Sequence, residues 1–340
     1  MTRRFTILRD VANAPTNEPF GRITRGGVVS GSAVVVSEPV IETEDLSKRE
    51  VQDFSRDTTV ASLAPVMPTR LIEPFSDSGS AASTSAWGIS AVHADQSAFD
   101  GQGVVVSVLD TGIDVAHPAF IGVNIIQKDF SGSGDGDRNG HGTHCAGTIF
   151  GRDVGATRIG IARGVTEARI GKVLADNGEG DSDMMFRGIN WAVEQGAHVI
   201  SMSLGFDFPG LVKQLTDDGF PVELATSLAL EAYRGNLRMF DALMDMIRAR
   251  SAFGTEVVVV AAAGNESRRD VHPNFEIAAS LPAAADGVIS VGAVGQTDSG
   301  MEIATFSNTL PQISAPGVAI LSAQIGGGLV AMSGTSMACP

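Results

Sequence analysis

Ser336 stands in Gly334-Thr335-Ser336-Met337-Ala338-Cys339, among small neighbours where a glycine-containing turn can present a hydroxyl at the start of a helix. A free serine hydroxyl is a poor nucleophile at neutral pH. It needs a base of pKa near 7 within hydrogen-bond reach, and that base needs its tautomer fixed. Two upstream segments offer those groups: Val104 to Gly112 carries the carboxylate of Asp110, and Asn139-Gly140-His141-Gly142-Thr143-His144 carries the imidazole of His141. Base, orienting acid and nucleophile are all available.

The elements that must position them read as an α/β pattern. Short β-branched runs at Val104 to Leu109, Ala168 to Leu174, Val199 to Leu204, Val257 to Ala262 and Val288 to Val294 lack polar alternation, which predicts parallel strands covered on both faces. Helices are predicted over His141 to Ile149, with Asn139 as cap, and over Asp183 to Gln195. The expected fold is α/β, a doubly wound, mostly parallel sheet flanked by helices, with sites beyond the carboxyl ends of its strands. Asp110 ends the first strand and Asn265 follows the fourth, so both belong at that edge.

Four separated motifs then resemble the subtilisin-like (subtilase) serine proteases in sequence and order. They are Leu109-Asp110-Thr111-Gly112-Ile113-Asp114, His141 to Thr148, Ala261-Ala262-Ala263-Gly264-Asn265, and Gly334-Thr335-Ser336-Met337-Ala338. The chain order aspartate, histidine, serine is that of subtilisin. The resemblance covers roughly 87–340. It implies that His141 is the base, Asp110 its partner and Ser336 the attacker, while the Asn265 amide and the Ser336 N–H stabilise the developing oxyanion. It also implies an extended substrate paired with two segments, here containing Leu174, Gly178, Gly180 and Ser203, Leu204, Gly205, and a primary pocket lined by Ala262, Ala263 and Gly264. Glu266 at its mouth, with Glu179, Asp181 and Asp183 along the rim, is either a preference for basic side chains or a solvated face.

Other features have plainer readings. The two cysteines, Cys145 and Cys339, are too few for a disulfide scaffold and are expected as buried thiols, with a mutual disulfide or an oxidation-sensitive control point as alternatives. His144, three residues after His141, is expected as a packed histidine, not a metal ligand. No cofactor is needed for the chemistry. The carboxylates Asp129, Asp135 and Asp137 in a glycine-rich loop are either a structural calcium site or a polar loop. The family's common calcium loop would fall near 149–161, where Val154 occupies a position expected to carry an oxygen ligand. The net charge of −15 argues against nucleic acid as a partner, and no apolar run is long enough to span a bilayer. Arg9 and Asp10 interrupt any signal-peptide core, which makes the cytoplasm the expected location and leaves secretion by another route open.

With 340 residues, one large domain and an appendage are expected. Residues 1–75 read as a small propeptide-like α/β unit, with strands at 27–29 and 33–36, a helix over 45–54 and an extended stretch over 60–71. Residues 76–86 read as a flexible, cleavable linker, and 87–340 as the catalytic domain. The unit is expected to serve as folding aid and inhibitor and to leave by self-cleavage in the linker; a permanent extension is the alternative. The stretch 205–256 is expected to hold two helices broken at Gly235, forming either a lid or wall on the non-primed cleft or a passive surface elaboration. Since subtilases continue past the serine for several helices, the sequence is expected to be a C-terminally incomplete piece. The expected function is a serine endopeptidase made as a zymogen; the alternative is an inactive subtilase-like module that binds extended peptides.

Overall fold

The computed structural model describes residues 2–10, 39–76, 86–251, 254 and 256–340. The strands expected at 27–29 and 33–36, and most of the linker, lie outside them. The N-terminal unit is an antiparallel sheet in the order β2-β1-β3, from β1 (Arg3–Asp10), β2 (Pro39–Leu46) and β3 (Val60–Pro65), with α1 (Lys48–Phe54) preceding β3. The charged stretch 45–54 is helical only from Lys48. Ser47 and Glu50 form a reciprocal capping box that starts the helix there, while Asp45 and Leu46 stay in β2. The extended stretch 60–71 divides in two. After β3 the chain leaves the small sheet as β4 (Pro68–Leu71) and β5 (Phe75–Ser76) and crosses onto the larger domain.

That domain opens with α2 (Trp87–Ala91), β6 (Val105–Asp110), β7 (Asn124–Asp129), α3 (His141–Phe150), β8 (Glu167–Lys172), β9 (Glu179–Asp181) and α4 (Ser182–Glu194). It continues with β10 (Val199–Met202), β11 (Leu204–Phe206), α5 (Phe208–Asp217), α6 (Val222–Ser251), β12 (Val258–Ala262) and β13 (Val288–Thr297). It closes with β14 (Gly300–Ile303), β15 (Ile313–Pro316), β16 (Ile320–Ala323), β17 (Leu329–Ser333) and α7 (Thr335–Ala338). The main sheet has the order β14-β13-β12-β10-β6-β8-β7, with β15 beside β13, and only the β13–β14 pairing is antiparallel. All five runs expected as strands lie in it. Side chains alternate across it as a strand's period of two requires: Val106 and Val108 of β6 join Cys145, Ala146 and Ile149 of α3, while Leu109 joins Phe186 and Ile189 of α4 and Phe240 of α6. Helices therefore cover both faces, as the uninterrupted apolar runs imply.

The two helices of 205–256 are present, but their break is not at Gly235. α6 runs unbroken for 30 residues, and the chain turns instead between Asp217 and Val222, at Gly219 and Pro221. Gly235 lies where α6 crosses β3, and a Cβ there would come within 3.3 Å of Pro65. The glycine serves close approach instead of termination. Next to it, buried Asn236 donates to the Pro65 carbonyl at 2.8 Å. Leu8, Ala64 and Met67 share one core with Met239, Phe240 and Leu243 of α6, so the insertion supports the N-terminal unit.

α3 packs hard on β16. A Cβ on Gly147 would lie 2.5 Å from Ser322 Oγ and 2.9 Å from the Ala323 Cβ, and Ser322 Oγ donates to His144 O at 2.8 Å. Gly147→Ala gains about 1 kcal/mol of helix propensity but overfills this contact at a cost of about 1–3 kcal/mol. The net expectation is a lower urea midpoint at unchanged m-value; an unchanged or raised midpoint would show that α3 has room to move away.

Candidate active site

Asp110 is the last residue of β6 and His141 the first of α3, and both are buried. His141 Nδ1 lies 2.8 Å and 3.0 Å from the two Asp110 carboxylate oxygens. Such closeness requires α3 to begin against the loop that follows β6. Gly142 permits it, since a Cβ there would collide with the Gly112 carbonyl. Asp137 enforces it: one carboxylate oxygen accepts from Thr111 Oγ1 at 3.0 Å and from Gly140 N–H at 2.8 Å, the other from Thr143 N–H and Oγ1 at 2.9 and 2.6 Å. The helix cap is Gly140, in the left-handed region at φ 102°, and not Asn139, whose Oδ1 accepts from His141 N–H at 3.3 Å. Buried Lys172 adds a further tie, donating to Gly136 O at 2.9 Å and to Asp176 at 2.5 Å.

Ser336 and Asn265 complete the edge, on α7 and just past β12. Asn265 Oδ1 accepts from the Thr335 N–H at 2.8 Å and Oγ1 at 2.9 Å, and Gly264 N–H donates to Thr335 Oγ1 at 3.1 Å. The residue preceding the serine thus fixes the orientation of the amide. The cleft in front of them holds the chain's own residues 68–76. β4 pairs antiparallel with β11 and β9, so that Leu71 faces Leu204, Arg70 faces Gly205, and Thr69 faces Gly180. Leu71 N–H donates to Gly178 O at 2.8 Å and Ile72 N–H to Ser203 O at 3.4 Å. Ile72 is buried with Ala262 and Cys339 and lies 3.8 Å from a Cβ built on Gly205. Downstream, β5 pairs with β17. Between the two pairings, Ser336 Oγ donates to Ile72 O at 3.2 Å, whereas Asn265 Nδ2 donates to the next carbonyl, Glu73 O, at 3.0 Å. His141 Nε2 is buried without a hydrogen-bond partner.

Leu174 is buried beneath Gly180, and Ala263 and Gly264 form the turn after β12, whose last residue, Ala262, packs with Ile72. Glu266 accepts from Asn308 Nδ2 at 2.7 Å with one oxygen and turns the other toward Arg70. Asp181 caps α4 and, with Asp183, faces Arg4. Asn308, Thr335 and Lys172 are structural members of the site with no role in the sequence reading, and Asp137, expected as a calcium ligand or loop carboxylate, instead ties α3 to the loop after β6. Asp137 was readable only as a carboxylate in a glycine-rich loop, and Asn308 had no motif near it.

Burial disfavours the His141 imidazolium, but the Asp110 carboxylate, with Cys145 beside it, more than offsets this and raises its pKa well above 6.5. For His144 burial lowers the pKa to about 4, aided by the charge of His141; its Nε2 lies 3.0 Å from Ile320 O, as a packed histidine's would. Cys145 and Cys339 are buried free thiols. Burial raises the Cys145 pKa, and pushes that of Cys339 up to about 12. Cys145 Sγ lies 3.8 Å from His141 Nδ1, so among the described residues the one convergent set of metal-ligand types is Asp110, His141 and Cys145. Asp129 spends its oxygens on Ser131, Gly132 and Gly134 of its own loop, as Asp137 does on α3.

A doubly wound sheet that carries a buried aspartate–histidine pair and a serine at its carboxyl edge defines the class of protein. The chain belongs to the Subtilase family, whose model matches residues 101–340. It is 32% identical over 308 residues to the thermostable alkaline protease of Halalkalibacterium halodurans, spanning 89% of this chain and 70% of the relative. Over 248 residues it is 34% identical to the major intracellular serine protease of Bacillus subtilis, spanning 71% and 66%. It is 33% identical over 278 residues to a cuticle-degrading serine protease of Arthrobotrys oligospora, spanning 75% and 56%. The chain therefore spans between about half and 70% of the length of these relatives. Among the described residues no helix is long and apolar enough to cross a membrane.

The two histidines titrate in opposite directions. By NMR, His141 is expected to lose its proton above pH 6.5, and Asp110→Asn to bring that midpoint down, since the largest charge opposing burial is then gone. His144 stays neutral down to about pH 4. The unfolded chain protonates a histidine near pH 6.5, so the His144 contribution to stability is present above that pH and is lost as the pH falls from about 6.5 toward 4. A His144 midpoint near 6.5 would contradict the packing described.

Proposed function

We propose that the chain is the protease portion of a subtilase zymogen, a serine endopeptidase that hydrolyses peptide bonds through an acyl-enzyme. Asp110 fixes the His141 tautomer, His141 Nε2 takes the proton from Ser336 Oγ, and the serine oxygen attacks the carbonyl carbon. Asn265 Nδ2 and the Ser336 N–H then meet the oxygen as it gains charge. His141 returns the proton to the leaving amine, and water hydrolyses the acyl-enzyme by the same route. Every group needed is a side chain or backbone amide, so the chemistry requires no cofactor. A structural calcium at 129–137 is not part of the reading, because the Asp129 and Asp137 oxygens already serve their own chain.

One observation carries the proposal: an extended strand lies in the cleft with a carbonyl, that of Ile72, against Ser336 Oγ. The same observation supports the N-terminal segment as an inhibitor. Attack on Ile72 would need its oxygen at Asn265, but Asn265 holds Glu73 O, and Ser336 donates to the substrate-like carbonyl instead of to His141. The bond brought to the serine is Ile72–Glu73, upstream of the linker first expected to be cut. The intracellular setting named for the Bacillus subtilis relative agrees with two free thiols. A peptide-binding module without catalysis is favoured by one fact, the missing Ser336–His141 bond.

Fluorophosphonate labelling of the full chain separates these readings. Labelling is expected at Ser336 and absent in Ser336→Ala; its absence from the native chain and from opened variants would leave the binding module. Burying Ile72 stabilises the docked segment by about 1.5–3 kcal/mol, so Ile72→Glu is expected to speed labelling about tenfold or more. An unchanged rate argues against inhibition by this segment. In the opened enzyme Asn265→Ala is expected to lower kcat about 10²–10³-fold, the loss known for the corresponding asparagine of subtilisin.

A further inference from the structure

We infer that Asp207 and Glu266 form an acidic fork that selects arginine or lysine two residues before the residue in the primary pocket, an inference that rests on residues 68–76 occupying the substrate cleft. With Ile72 in the pocket, that position is Arg70. Residues two apart on a strand point to the same face, so the Arg70 side chain leaves the backbone on the Ile72 side and meets the two carboxylates. Its Nη1 lies 3.7 Å from Asp207 Oδ1 and its Nη2 3.8 Å from Glu266 Oε1.

Both carboxylates are held by groups other than Arg70. Glu266 Oε2 accepts from Asn308 Nδ2 at 2.7 Å, and the Glu266 N–H donates to Asn308 Oδ1 at 3.0 Å, which leaves Oε1 toward the cleft. Asn308 is buried and also donates to Ala263 O at 3.1 Å, so the Glu266 anchor is tied to the turn that follows β12. Asp207 caps α5 by accepting from Gly210 N–H at 3.0 Å, and its own N–H donates to Pro68 O at 3.0 Å. Two fixed anions on separate elements, with one guanidinium between them, form a preorganised subsite and differ in this from a solvated acidic face, where side chains are free to turn away. Arg70 remains about half exposed, at 49%. Each pair is therefore worth little alone, and selection comes from their sum and from repulsion of an acidic side chain at the same place. The expected size is about three- to tenfold for arginine over glutamine, shrinking in high salt.

Two measurements test the fork. In the full chain carrying Ser336→Ala, amide exchange at Leu71 and Ile72 reports how often the segment leaves the cleft, independently of any hydrolysis. Arg70→Gln is expected to speed that exchange about three- to tenfold, Arg70→Lys far less, and the double variant Asp207→Asn, Glu266→Gln by about the same factor as Arg70→Gln. Arg70→Gln should then add nothing in the double variant. Equal acceleration by Arg70→Gln with and without the two carboxylates, or none, overturns the fork. In the chain opened by Ile72→Glu, peptides differing only at this position should be cleaved in the order arginine and lysine, then glutamine, then glutamate, and the spread should collapse in the double variant. Cleavage at equal rates also overturns the fork. No cleavage of any peptide defeats the protease reading, and the exchange result still decides the fork.

Discussion

A carboxylate and an imidazole held 2.8 Å apart, out of water, set the terms for the rest of the cleft. Either group buried alone would carry a desolvation penalty of several kcal/mol, so the pair tolerates little separation. The sheet supplies only approximate placement, ending β6 at Asp110 and starting α3 nearby. The remaining alignment comes from Asp137, whose two oxygens join Thr111 after the carboxylate to Gly140 and Thr143 around the imidazole. Lys172 holds the intervening loop by its Gly136 carbonyl. The absent side chain of Gly142 lets the two backbones close. Each tie acts on backbone or second partners, which leaves His141 Nε2 without a hydrogen-bond partner of its own.

The occupied cleft is stable because its two ends are registered independently. Upstream, β4 pairs with β9 and β11; downstream, β5 pairs with β17. A slip of the whole segment by one residue would bring the Ile72 carbonyl to Asn265, but it would also turn every strand side chain to the opposite face. Ile72 would leave its apolar site and Arg70 its carboxylates. The one-residue offset between Ser336 and Asn265 is thus absorbed by 72–74 alone. Pro74 adds stiffness there, with a fixed φ and no N–H to give to a ladder. Adjustment is confined to a few bonds.

Much of this was legible in the residues. The β-branched runs located all five expected strands of the sheet, because strands buried on both faces need no polar alternation. Asp110 and Asn265 could be placed at one edge because one ends and the other follows such a run, whereas His141 and Ser336 were assigned by their motifs. The failures share a physical cause. Gly235 reads as a helix breaker by propensity, yet tertiary contact with Pro65 makes use of its missing side chain. Asn139 reads as a cap by type, while Gly140 takes the position because the backbone turns left-handed there. Residues 68–71 read as part of one extended stretch of the N-terminal unit, since a strand's sequence does not say which sheet it joins. Asn308 and Asp137 act through hydrogen bonds to distant or irregular backbone, which leave no periodic trace.

The insertion α5–α6 links these features. Its long helix shares a core with Leu8, Ala64 and Met67, while the start of α5 gives the Asp207 N–H to Pro68 O. Met67 is buried and bonded to Ser182 in both directions, its N–H to Ser182 Oγ at 3.0 Å and its carbonyl to Ser182 N–H at 2.9 Å. Detaching β1 to β3 would expose apolar surface at about 25 cal/mol per Å². Releasing 68–76 breaks strand pairings at the cleft and exposes the buried Leu71 and Ile72 side chains. Local opening beyond Met67 is therefore the less expensive motion, with the N-terminal unit still docked on α4 and α6. On the proposed zymogen reading, a cleft that opens this way keeps its inhibitor tethered, and the segment's return competes with substrate until the tether is cut.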